Sequence, residues 1–153
     1  MKRVSAAQAL ASLQTEKAHY VVLKHFKWGL KESPYRYIDA MAMINSKESR
    51  MLMAEAMSDM EIKLLKKTDC ETNPFVMIHL ALTLDKLGET SGMKALHKWL
   101  DPIYPVELRV GVIEKLGKER KSLLNINLIQ KYANDNSRRI REAVIKALAG
   151  EDD

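Results

Sequence analysis

Glycine and proline are both scarce in this 153-residue chain, at six and four. An all-β design needs such residues at frequent turns, so their shortage points to long helices with short connections. The single cysteine, Cys70, allows no intrachain disulfide and leaves no thiolate cluster for zinc. It reads as a small residue near a helix end, in a chain suited to a reducing cytoplasm. The longest uncharged run, Thr72 to Leu84, falls short of the roughly 20 apolar residues of a membrane span. The opening residues are basic and then apolar, but Ser5, Gln8 and Ser12 interrupt the run. Ser5-x-x-Gln8 spells a capping box, so an ordinary helix is expected there rather than a secretory leader.

Catalytic signatures are lacking too. No His-Glu-x-x-His, Cys-x-x-Cys, Gly-x-Ser-x-Gly or phosphate-loop pattern occurs. His19 and His25 are six residues apart and share no helical face, while His79 sits in the most apolar segment and reads as a satisfied core or boundary histidine. Asp39, Asp59, Asp69 and Asp85 are scattered beside lysines, as on solvated helix faces. The sequence therefore nominates no catalytic residue, metal ligand or cofactor, and the chain is not expected to be an enzyme.

What is present is an ordinary globular composition, 46% hydrophobic and 29% charged, enough to bury a core. The formal net charge of +5 is unevenly placed. Residues 1–36 carry seven Lys/Arg against two acids, residues 37–75 are net acidic, 76–117 balance and 118–153 are slightly basic.

Punctuation divides the chain into helices. Ser5 is expected to cap a long helical region to about Leu30, which Thr15 can break in two. Ser33-Pro34 opens a helix through Ile44. Asn45-x-x-Glu48 reads as a second capping box, opening a helix to about Lys67. Asn73-Pro74 begins a helix closing at Leu87-Gly88, and Thr90 or Ser91 begins one that stops before Asp101-Pro102. Pro105 opens a helix to Leu116-Gly117, and Ser122 one to about Ala133. Asn136-Ser137 caps the last, which ends at Gly150 before an acidic tail, 151–153. Ile140, Ala143, Val144, Ala147 and Leu148 form one helical stripe, and no alternating run suggests a strand. The expected fold is all-α, with seven to eight helices.

Self-comparison adds an internal repeat. At a shift of 32, Leu108 meets Ile140, Arg109 meets Arg141, Val112 meets Val144, Ile113 meets Ile145 and Leu116 meets Leu148. Leu84-Asp-Lys-Leu87-Gly88 matches Ile113-Glu-Lys-Leu116-Gly117 at a shift of 29, and Leu96 and Leu100 meet Leu128 and Tyr132 at 32. Each unit is a helical hairpin that cannot bury its apolar face alone, so neighbours must stack on it.

The run Asp135-Asn-Ser-Arg-Arg-Ile-Arg141-x-x-Val144-x-x-x-Leu148 resembles the HEAT repeats of α-solenoids, with an aspartate in the turn followed by an arginine and an apolar stripe. The preceding unit keeps Asp101 and Arg109 at a spacing two residues longer, and the one before has Leu80 in place of the arginine. The resemblance covers 74–150, weakening backwards, and leaves 1–73 as divergent helices of one helical-repeat domain, 1–150. It implies that Asp135 and Arg141 pair to tie adjacent repeats. It also implies that 91–100 and 122–133 line the ligand-facing surface through Lys94, His97, Lys98, Asn127, Gln130 and Lys131.

Two further features suit binding. The stretch 20–37 gathers Tyr20, Phe26, Trp28, Tyr35 and Tyr37 with Lys24, His25, Lys27, Lys31 and Arg36. Lysines and arginines release counterions from phosphates and aromatics stack on unpaired bases, so Lys24, Lys27, Trp28, Lys31 and Arg36 are candidate binding residues. Met41, Met43, Met51, Met53, Met57 and Met60 concentrate within twenty residues, where thioethers fill cores or adaptable grooves; the helical spacing of Met53, Met57 and Met60 favours core. The sequence leads to a cytoplasmic protein-interaction module, an adaptor, an inhibitor or an immunity-type factor, with another protein as its partner. Nucleic-acid binding through the basic aromatic stretch is the alternative.

Overall fold

The computed structural model describes residues 2–67 and 72–150, with side chains from residue 6 onward; Cys70 and the tail 151–153 lie outside the described residues. These residues form helices α1 (Lys2–Ser12), α2 (Glu16–Lys24), α3 (Phe26–Glu32), α4 (Pro34–Ile44) and α5 (Lys47–Lys66). After them come α6 (Pro74–Lys86), α7 (Thr90–Lys98), α8 (Val106–Lys118), α9 (Leu123–Gln130) and α10 (Arg138–Ala149). The described residues contain no strand, and none of their helices is long and apolar enough to cross a membrane.

Ten helices replace the expected seven to eight because the first helical region breaks twice. Thr15 is extended (φ −120°, ψ 140°) and its hydroxyl accepts from the Ala18 amide at 3.3 Å, starting α2 afresh. His25 (φ −94°, ψ 6°) then separates α2 from α3, with no glycine or proline to announce it. Two expected caps also move. α1 already begins at Lys2, so Ser5 lies within the helix. Asn45 closes α4 in the left-handed region (φ 46°, ψ 43°), and the capping box belongs to Ser46 and Ser49 instead of Asn45 and Glu48. The Ser49 amide donates to the Ser46 hydroxyl at 3.0 Å and the Ser46 amide to the Ser49 hydroxyl at 2.9 Å. Asparagine tolerates the left-handed conformation, so it suits the exit of one helix better than the entry of the next.

The chain folds as two compact units, Met1–Met93 and Lys94–Asp153, with the division inside α7. In the first, α4 is the hub and packs on α1, α2, α3, α5 and α6. Its Ile38, Ala40 and Met41 are fully buried, and the small Ala7 and Ala11 bring α1 close to it. The methionines divide by helical face. Met41, Met53 and Met57 are core, Met43 and Met51 are exposed and Met60 is half-buried.

In the second unit α8 and α10 pack together. Glu107 meets Arg139 at 3.1 Å, and a Cβ on Gly117 would lie 2.8 Å from the Cβ of Ala147. Both contacts advance along both helices, so α8 and α10 run parallel, with residue i beside about i+32. Leu108, Val112, Ile113 and Leu116 of α8 and Ile140 and Val144 of α10 are fully buried. Trp99, at the end of α7, is also fully buried, and its indole N–H finds no acceptor among the described residues.

Candidate partner-binding surfaces

The basic aromatic stretch lies within the first unit, but its side chains do not form one platform. The Lys24 ammonium sits 5.9 Å from the Tyr20 ring centre. Trp28 meets Tyr37 edge-on at 6.0 Å, and Gly29 lets that tyrosine ring lie on the α3 backbone. Tyr35 packs edge-on against His79, whose Nε2 is 3.1 Å from Asp39 Oδ1. Phe26 is core. Lys24, Lys27, Trp28, Lys31 and Arg36 are exposed, and Lys27 and Lys31 border a concavity.

That concavity is a cleft of about 570 Å³ between α3, α5 and the start of α6. Phe26, Leu30, Leu52, Ala56, Met60 and Val76 supply its apolar lining. Lys27 and Lys31 stand one turn apart on the α3 wall, and Glu55, Asp59 and Lys63 recur at the same interval on the α5 wall. Among the described residues no ion pair spans it. Sequence reasoning found the two lysines but missed the acidic wall; the Glu55-x-x-x-Asp59 spacing was the available signal, and nothing local announced that α5 would face α3.

In the second unit His97 Nε2 lies 2.8 Å from Asn125 Oδ1, joining α7 to α9, while Asn125 Nδ2 donates to the Arg120 carbonyl at 2.6 Å. The histidine is thus a structural link. Lys94, Lys98, Asn127, Gln130 and Lys131 are exposed, so of the six residues expected on this surface five are accessible.

The expected Asp135–Arg141 pair takes a different form. Arg109 is buried; its Nε donates to the Leu100 carbonyl at 2.9 Å and its Nη2 to Asp135 Oδ1 at 2.7 Å, with the guanidinium 5.3 Å from the Tyr132 ring centre. Arg141 reaches the Asp135 and Asn136 carbonyls, at 2.7 and 3.0 Å. The carboxylate therefore goes to the arginine of α8, because α8 lies alongside the turn that enters α10. Asp135 Oδ2 also accepts the Ser137 amide at 2.9 Å, closing an Asx turn that leads into α10.

The Arg109 hydrogen bond, helped by the Ser137 amide, holds the Asp135 carboxyl below its ordinary value against the opposing effect of burial. A carboxyl lowered in the folded state stabilises above the unfolded value of about 3.9, and that contribution is lost as pH falls through the lowered folded value. Acidification below about pH 4 is thus expected to lower the urea midpoint, and Asp135→Asn to flatten that limb. An unchanged acid limb in the variant would remove Asp135 as its source.

α10 supplies the remaining feature. Ile113 and Leu116 of α8 are 0% exposed, whereas their equivalents Ile145 and Leu148 are 63% and 36% exposed. Gly117 accommodates Ala147 on α8, and its equivalent Ala149 is exposed on α10. Leu123 and Leu124, at the start of α9, are exposed as well, and Lys121 Nζ, just before them, lies 3.4 Å from a Cβ placed on Gly150. Among the described residues no group of three or more His, Cys, Asp or Glu is placed to hold a metal ion. Comparison with family models, curated proteins and solved structures finds no match to this chain.

Proposed function

We propose that the chain is a protein-interaction module whose HEAT-like helical hairpins stack as a short solenoid and whose outermost apolar face receives a partner protein. The carrying observation is the contrast between Ile113 and Leu116, buried, and Ile145 and Leu148, uncovered at the same places in the repeat. A helix that needs a neighbour on that side in one unit needs one in the next, because the apolar surface left in water is of similar size. The parallel packing of α8 and α10, with Glu107 against Arg139, supports the stacking. The occupant is an amphipathic helix of the partner that offers a small residue to Ala149, as Ala147 does to Gly117. In this reading the module acts by occupancy, as an adaptor, an inhibitor or an immunity-type factor in the cytoplasm, and uses no cofactor.

Binding of nucleic acid through Lys24, Lys27, Lys31 and Arg36 has less support. Glu55 and Asp59 stand across the cleft from Lys27 and Lys31, where they repel phosphate, and Trp28 is engaged with Tyr37.

Affinity capture with mass spectrometry, with and without nuclease, tests the two readings with one pair of samples. The wild-type chain is expected to retain the same proteins in both arms, and Ile145→Glu/Leu148→Glu, made at exposed positions that spare the core, to lose them. Retention that disappears with nuclease, or that survives the double substitution, overturns the proposal.

A further inference from the structure

The cleft of the first unit is a separate surface, and the inference drawn from it goes beyond the reading of α10. Its walls are helices, whose backbone groups are satisfied internally. An extended peptide laid between them would find no strand edge and would leave its own amides and carbonyls unpaired as it displaced water. A helix brings its hydrogen bonds with it and presents only side chains.

The rim charges have the matching period. Lys27 and Lys31 are separated by four residues on α3, and Glu55, Asp59 and Lys63 by the same interval on α5. A third helix lying along the cleft places its own four-residue rows opposite both walls. The half-buried Leu30, Leu52 and Met60 of its lining face the stripe between those rows, with the flexible Met60 thioether able to adjust to its shape. α3 spans seven residues, about two turns, which sets the length of helix that its lysines can grip.

We propose that this cleft binds an amphipathic helix of a partner protein, with carboxylates in four-residue spacing against Lys27 and Lys31 and basic side chains against Glu55 and Asp59. The two-signed rim is what selects this occupant. A polyanion such as RNA or an anionic bilayer meets two carboxylates on the α5 wall, and a uniformly basic helix meets two lysines on the α3 wall. Only a helix with one acidic and one basic flank satisfies both, in the one direction that sets its carboxylates against the α3 wall.

The test uses three labelled synthetic helices that share one apolar stripe and differ in their flanks: one acidic and one basic, both basic, or both acidic. Anisotropy titrations against the full chain are expected to rank the mixed helix first, by about tenfold over either uniform one. Lys27→Glu/Lys31→Glu, at two exposed positions, is expected to hand first place to the doubly basic helix, while Lys17→Glu, exposed on α2 outside the cleft, leaves the order unchanged. Circular dichroism of each variant establishes that it is folded. Equal affinity for all three helices, no binding of any, or an order that survives the charge reversal overturns the proposal. So does tighter binding of a single-stranded oligonucleotide than of any helix. Failure here leaves the α10 face untouched, because none of these substitutions lies on it.

Discussion

Arg109→Met is expected to destabilise the second unit by about 3–5 kcal/mol. The methionine fills much of the same volume, so the loss is not one of packing. It comes from leaving the Asp135 carboxylate, only 9% exposed, without its cation. The Leu100 carbonyl loses a donor in the same step, and the Tyr132 ring loses the guanidinium above it. Lysine is no remedy, because one ammonium cannot reproduce the fork that reaches both a carbonyl and a carboxylate. Arg109→Met/Asp135→Leu is expected to recover part of the loss, since an apolar pair replaces a buried ion pair at little net cost. Recovery stays incomplete, because the Leu100 carbonyl is still without this donor and the Ser137 amide loses its acceptor. Urea unfolding followed by circular dichroism gives all three values. A single substitution that shifts stability by less than about 1 kcal/mol would put this ion pair in the class of surface pairs and remove it from the core.

Gly92→Ala carries the second large effect, and helix propensity and packing disagree on its sign. Alanine is the better helix former by about 1 kcal/mol, which taken alone makes the change stabilising. Gly92, however, sits where the start of α7 crosses α6, and a Cβ there would collide with the Ala81 carbonyl oxygen and lie 2.7 Å from the Asp85 amide nitrogen. Both obstacles are backbone in the interior of a buried helix, so neither yields by a rotamer change. The collision wins, and a net loss of about 3 kcal/mol is expected. Gly88→Ala serves as the comparison: its φ of +86° strains any L side chain, but nothing stands within 4 Å. That change should lose only about 1–2 kcal/mol. Thermal melts of the two variants side by side decide the matter, and a Gly92→Ala variant that melts above the parent refutes the close crossing.

How much of this was legible in the sequence follows from the range over which each signal acts. Local signals read well. Asn73-Pro74, Ser122 and Gly150 fix the helix ends they were expected to fix, because a cap is decided within one turn. The break at His25 was not legible, since no residue there is unfit for a helix. Asn45-Ser46 carried two competing cap signals, and only the left-handed exit of α4 decides between them. Among the candidate binding residues, composition located Lys27 and Lys31 but not Glu55 and Asp59 on the facing wall, because that pairing depends on how helices far apart in sequence pack. The HEAT resemblance implied a tie between Asp135 and Arg141, and geometry gave the carboxylate to Arg109, 26 residues before Asp135.

That tie has a consequence for where the second unit can be cut. A protease or premature stop that removes residues from 135 onward takes away more than a helix. It strands the Arg109 guanidinium in the interior and bares the α8 side that Ala147 covers. The remainder is left with an uncompensated internal cation and open apolar surface, so digestion of this region should pass from intact protein to small peptides without a long-lived intermediate.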